Sequence, residues 1–145
     1  MRPSVYIETT VISYLTANIS RDLRVAAHQQ STIDWWQTIR PTVECYISPF
    51  VINEIMHGDE ILVQKRLESI KGFSLLGVNE EIETLAEQYY AAIELPERAK
   101  ADAFHLATAS WYRLEYMLSW NLKHIASARV RKILREVNDQ LGVYT

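Results

Sequence analysis

The sequence predicts an α/β domain with a parallel sheet, and three observations carry that expectation. Short β-rich runs alternate with helical stretches along the whole chain, Pro and Gly punctuate the joints, and no repeat or low-complexity linker interrupts the alternation. At 145 residues with 48% apolar and 23% charged side chains, the chain is expected to form one globular domain spanning residues 1–145.

The elements follow in order. Ser4-Val5-Tyr6-Ile7 predicts the first strand, followed by a helix over about Thr10 to Ala17. A longer helix is expected from Asp22, its N-cap, to about Ile39, with Leu23, Ala26, Ala27 and Gln30 marking one face; Pro41 closes it. Val43 to Ser48 reads as the second strand, and Pro49 is placed to open a helix that Gly58 ends. Ile61 to Ile70 predicts an amphipathic helix, and Phe73 to Val78 a third strand. Helices are expected over Glu80 to Glu94 and Glu97 to about Leu114, parted by Pro96. Tyr116 to Trp120 reads as the fourth strand, and Ala128 to Gln140 as the last helix. Strands alternating with helices imply right-handed crossovers and a sheet covered on both faces, with ligands bound beyond the carboxyl ends of the strands.

Composition excludes several classes. No apolar run approaches the ~20 residues of a membrane-spanning helix. Met1-Arg2-Pro3-Ser4 leads straight into a strand pattern, so no signal peptide is expected. The single cysteine, Cys45, rules out an intrachain disulfide and fits a reducing cytoplasm; its apolar setting suits a core residue. With four glycines in all, a nucleotide-binding P-loop is excluded. The net charge of −3 is unevenly spread. Residues 80–97 carry six Glu and no cation, which reads as a solvated helix face; residues 123–135 carry Lys123, Arg129, Arg131, Lys132 and Arg135 and no acid, either a solvated face or a phosphate-facing surface.

Glu8 directly follows the first strand, and Asn121 lies just past the fourth. Glu54 lies one turn into the helix after the second strand, and Asp102 lies in an otherwise Ala-rich stretch leading to the fourth. Each has an ordinary explanation: Glu8 as a cap, Glu54 as an exposed helix residue, Asp102 as a first-turn acid favoured by the helix dipole, Asn121 as a turn residue. Their joint placement at one sheet edge shifts the balance. Converging carboxylates repel and are costly to bury, and a bound cation removes both penalties. An all-oxygen ligand set favours Mg²⁺ or Mn²⁺, an ion that polarises phosphoryl oxygens and activates water.

Four segments resemble the PIN-domain family, most closely the VapC-type toxins of toxin–antitoxin pairs. They are Tyr6-Ile7-Glu8-Thr9-Thr10-Val11-Ile12, Ser48-Pro49-Phe50-Val51-Ile52-Asn53-Glu54, Ala101-Asp102-Ala103-Phe104-His105-Leu106-Ala107 and Leu118-Ser119-Trp120-Asn121-Leu122-Lys123-His124-Ile125. Together they span nearly the whole chain in the family's order. The resemblance implies a three-layer α/β/α sandwich with a mainly parallel sheet of four to five strands. It implies a Mg²⁺- or Mn²⁺-dependent endoribonuclease, commonly a homodimer held in check by a small antitoxin. Carried over by position, Glu8, Glu54 and Asp102 are the metal-binding acids and Asn121 the fourth catalytic position, with Thr9 and Ser119 orienting water or phosphate. Two positions depart from the family pattern, Glu8 where Asp is usual and Asn121 where Asp is frequent. The chain also reaches Gly142-Val143-Tyr144-Thr145 where relatives go on to a final edge strand, so that strand is expected to be missing or short.

Other residues keep two readings open. His105 is either a partner of the metal-binding acids or a hydrogen-bonded core histidine. Lys123, His124, Arg131 and Arg135 either contact substrate phosphate or lie on a solvated surface. Trp120 either stacks on a base or packs at the sheet edge. Trp35 and Trp36 are adjacent and cannot share a helix face, so one is a candidate partner surface. Against the nuclease stand two other functions: a catalytically weak or silent PIN-like module that binds RNA or a protein partner, and a phosphoesterase acting on a small molecule.

Overall fold

The computed structural model describes residues 1–143. Four strands form one all-parallel sheet: β1 (Ser4–Ile7), β2 (Glu44–Ile47), β3 (Ser74–Leu75) and β4 (Tyr116–Leu118), in the order β3-β2-β1-β4. Helices α1 (Thr9–Thr16) and α2 (Leu23–Thr38) link β1 to β2; α3 (Pro49–Ile55) and α4 (Glu60–Ser69) link β2 to β3. The chain then crosses by α5 (Glu80–Ile93) and α6 (Lys100–Trp111) to β4 on the far side of β1, and α7 (Ala128–Leu141) closes the fold. No helix among the described residues is long and apolar enough to cross a membrane.

The α/β class and the three-layer arrangement are as the sequence predicts. One core joins α5, α6 and α7 through Ile82, Tyr89, Ile93, Ala103, Leu106, Val130 and Leu134. The other joins β1 and β2 to α1 and α3 through Val5, Ile7, Val11, Ile12, Ile47, Val51 and Ile55. Local signals fix most boundaries. The Asp22 carboxylate accepts from the Arg24 and Val25 amides, at 2.8 and 3.2 Å, and starts α2; Asp59 and Asn79 do the same for α4 and α5. Trp35 and Trp36 are both half-buried against the sheet core, so neither stands free.

Three expectations change. The third strand shrinks from six residues to two, because β2 gives way to the Pro49 helix start and leaves Phe73–Val78 only Tyr46 and Ile47 to pair with. The predicted helix over Glu97–Leu114 divides into a 3₁₀ turn at Glu97–Ala99 and α6, which stops before Arg113, a residue with φ +54°. β4 ends at Leu118, leaving Ser119 and Trp120 in a loop. No strand follows α7 among the described residues; Tyr144 and Thr145, half of the stretch expected to precede an edge strand, lie outside them.

The strand order places the site. The chain runs outward from β1 to β3 and then reverses to β4, so the connections leave the sheet in opposite directions between β1 and β4. A crevice opens beyond the carboxyl ends of such a pair. Glu8 ends β1 there, and Ser119 to Asn121 end β4.

Candidate metal centre

Glu8 is only 3% exposed. Its backbone N–H extends the ladder to Leu118 O (3.1 Å), and its side chain does not cap α1. Instead Oε1 accepts from Thr10 Oγ1 at 2.5 Å and Ser119 Oγ at 2.6 Å. No Lys, Arg or His side chain pairs with it within 4.0 Å among the described residues. Two hydroxyls therefore hold a buried carboxylate that has no counter-charge from the protein, which is a costly arrangement without a cation.

Glu54, in the last turn of α3, turns its carboxylate into the same crevice. Oε1 accepts from Thr9 Oγ1 (2.7 Å) and bonds His105 Nε2 (2.5 Å). Burial alone would raise this carboxyl, but the hydrogen bonds from His105 and Thr9 and the nearby imidazoles outweigh it and hold the group below its ordinary range. His105 is fully buried on α6. Its Nδ1 meets Tyr6 Oη at 2.6 Å, and Tyr6 Oη meets Ser48 Oγ at 2.7 Å. Burial pushes the Tyr6 hydroxyl far above the usual tyrosine range, so it stays an O–H. Nε2–H donates to the ionised Glu54 carboxylate, and the chain runs on through Nδ1 and Tyr6 Oη to Ser48 Oγ. Ligand atoms of Glu8, Glu54 and His105 lie within 4.8 Å of one another.

Asp102, in the first turn of α6, is not a member of that tight group. Its Oδ2 accepts from Asn121 Nδ2 (2.9 Å) and lies 3.3 Å from His124 Nδ1. Burial, and then the Glu8 charge, raise its carboxyl above the ordinary aspartate range; Asn121 and the imidazoles of His105 and His124 only partly offset this. The coupling to Glu8 marks a shared electrostatic site. Asn121 also keeps the turn role that its residue type suggests: Oδ1 accepts the His124 amide (2.9 Å) and its carbonyl accepts from Ile125 and Ala126. Its amide oxygen is thus already engaged, and its NH₂ faces the acid.

The structure therefore gathers Glu8, Glu54, Asp102, Asn121, Thr9, Ser119, His105 and His124 at one crevice, with exposed Lys123 in the adjoining turn. Arg131 and Arg135 stand elsewhere, on the face of α7 beside β4. Arg129 is tied to the end of α5, donating to Ile93 O (3.0 Å) and facing Glu94 at 3.8 Å. Trp120 takes the packing role: it stacks on His28, with ring centroids 4.2 Å apart, and its Nε1 donates to Thr32. Three site residues escaped the sequence reading. Thr10 bridges the two strand ends, donating to Glu8 and accepting the Trp120 amide at 2.8 Å. Tyr6 and Ser48 complete the His105 chain, and the one available signal was a polar hydroxyl within or at the end of a core strand.

The donor set fits a hard divalent ion. Glu8, Glu54 and Asp102 offer oxygens only, and His105 Nε2 is occupied by Glu54, so His105 serves better as a positioning partner than as a ligand. One consequence is measurable without metal. The raised Asp102 carboxyl costs folding free energy wherever the residue is ionised in the unfolded chain, so stability is lost as pH rises from the unfolded value through the higher folded one. Metal-free Asp102→Asn is expected to melt above the wild type at neutral pH and level with it in acid, below the ordinary aspartate range. A lower melting temperature at neutral pH would mark the carboxylate as structural.

No protein-family model matches this chain, and no curated protein sequence matches it either.

Proposed function

We propose that this protein is a Mg²⁺- or Mn²⁺-dependent endoribonuclease of the PIN type, the toxin of a toxin–antitoxin pair, acting as a cytoplasmic homodimer. One observation carries the metal-dependent reading: a nearly inaccessible glutamate at the topological switch point, held by two hydroxyls and no cation, with two more acids converging on it. When bound, the ion supplies charge neutralisation for the acids and electrophilic assistance at a phosphodiester. Glu8, Glu54 and Asp102 would hold it. Thr10 and Ser119 orient the Glu8 carboxylate, Thr9 and His105 orient that of Glu54, and Asn121 steers Asp102. His124 and Lys123 flank the crevice where a phosphate would enter. That the substrate is RNA rests on the resemblance of the four motifs.

The test is cleavage of an end-labelled single-stranded RNA by purified protein with Mn²⁺. Expected are internal cuts that EDTA abolishes, and a loss of at least ~100-fold in Asp102→Ala, the scale of removing one preorganised charged group. Cleavage that survives both EDTA and Asp102→Ala would refute the proposal. A second reading, a catalytically silent module, draws on a specific observation. His105 satisfies Glu54 and the Asn121 amide satisfies Asp102 within the protein. RNA binding without cleavage at any Mn²⁺ concentration would favour it.

A further inference from the structure

The loop after β4 carries two residues that face the crevice and one between them that turns away. Ser119 Oγ reaches Glu8 and Asn121 Nδ2 reaches Asp102, while the indole of Trp120 turns to α2. β4 ends at Leu118, so these three residues lie past the strand. Trp120 anchors them twice. Its backbone N–H donates to Thr10 Oγ1 at 2.8 Å, and its indole Nε1–H donates to Thr32 Oγ1, also at 2.8 Å. Thr32 is 3% exposed, and its own hydroxyl donates to His28 O at 2.7 Å, which leaves its lone pairs to the indole. His28, four residues earlier on α2, lies against the Trp120 ring with centroids 4.2 Å and planes 14° apart. Tyr14 of α1 lies 5.9 Å from the same ring at 17°. One helix thus presents both a ring to stack on and, one turn further on, an acceptor to aim at. Stacking alone lets a ring slide and turn in its plane; the bond to Thr32 selects one orientation.

We infer that Trp120 is a positioning residue, pinned by Thr32, that sets Ser119 and Asn121 against their carboxylates. The inference rests on the metal-centre reading for its consequence and on the hydrogen bonds alone for its geometry. α2 carries none of the three acids, yet through this anchor it governs a partner of two of them. A shift of the indole carries the backbone on both sides of it. Glu8 then loses the aim of one hydroxyl donor, and Asp102 that of its amide donor. Any buried indole seeks an acceptor. Here the acceptor is itself fixed, by its bond to His28 O, so the anchor is rigid from α2 to the crevice.

The test compares Thr32→Val, Thr32→Ser and Trp120→Phe in the full chain, by amide hydrogen exchange without metal and by calorimetric Mn²⁺ titration. Thr32→Val removes the acceptor without touching the crevice, and Trp120→Phe removes the donor while keeping a ring on His28. Each is expected to speed exchange of the Trp120 and Asn121 amides about tenfold relative to the amides of α5, the scale of one buried hydrogen bond. Each is also expected to weaken Mn²⁺ binding about tenfold. Thr32→Ser keeps the hydroxyl and is expected to restore both. Combining Thr32→Val with Trp120→Phe should cost no more than the larger single change, because both break one bond. Exchange raised equally in α5, the mark of a general loss of stability, would overturn the proposal. So would wild-type exchange at Trp120 and Asn121 in both variants, faster exchange there with Mn²⁺ affinity unchanged, or a Thr32→Ser that behaves as Thr32→Val. If the wild-type chain binds no Mn²⁺, the metal reading falls, and the two amides alone decide the positioning role.

Discussion

Glu8→Gln is expected to abolish high-affinity Mn²⁺ binding and to cut RNA cleavage by at least ~10³-fold, at the upper end of what one preorganised charge contributes, while the metal-free fold stands unharmed. The reasoning starts from shape. Glutamine is nearly isosteric with glutamate and its carbonyl can still accept from Thr10 and Ser119, so both hydroxyls keep their partner. What disappears is a buried charge that no basic side chain offsets, so metal-free thermal stability is expected to be equal or higher. Calorimetric Mn²⁺ titration, cleavage rate and thermal melting separate the outcomes. Wild-type Mn²⁺ affinity in the variant would place the ion elsewhere. A large fall in melting temperature would make Glu8 part of the scaffold.

His105→Leu is expected to produce the opposite profile, a loss of stability with a partial loss of metal binding. Removing the imidazole leaves the fully buried Tyr6 hydroxyl with Ser48 alone and deprives Glu54 of one of its two donors. Each buried polar group left unsatisfied costs about 1–3 kcal/mol. With Tyr6 the one fully buried group affected, the expected cost is about 1–3 kcal/mol, read as a drop of several degrees in Tm. Mn²⁺ affinity is expected to fall ~10–100-fold, as when other partners of ligating carboxylates are removed. Because Tyr6 and His105 act as one unit, Tyr6→Phe combined with His105→Leu should destabilise by less than the sum of the single changes. Strict additivity would show that the hydrogen-bonded chain from Ser48 to Glu54 does not function as a unit.

The architecture and the acids were legible because both leave local marks. The alternation of β-rich runs with capped amphipathic helices survives translation into a parallel sheet, since capping and periodicity act over a few residues. Asp102 stood out as an acid in an Ala-rich stretch, and Glu8 as an acid at a strand end. The Tyr6–His105 bond joins residues 99 apart, and Tyr6–Ser48 residues 42 apart; no local spacing announces either. Phe73–Val78 was misjudged in length for a related reason: its composition favours a strand, but the extent of pairing is set by where β2 stops. Asn121 shows the limit of reasoning from residue type. Its amide can offer an oxygen or a nitrogen to the crevice, and only the neighbouring His124 amide decides that the nitrogen faces Asp102.

The central position of β1 sets an order of events during synthesis. Glu8 leaves the ribosome well before Ser119, one of its two hydroxyl partners, which lies 111 residues later. At 5–20 residues per second the wait is roughly 6–22 s. Until β4 emerges, Glu8 can have neither that hydroxyl nor the ladder bond to Leu118, and Asp102 has no Asn121. Until Asn121 has emerged, a chain still being translated thus carries the acids without the geometry of the crevice. For the proposed nuclease, this order would leave the centre unassembled on any chain that has not yet reached β4.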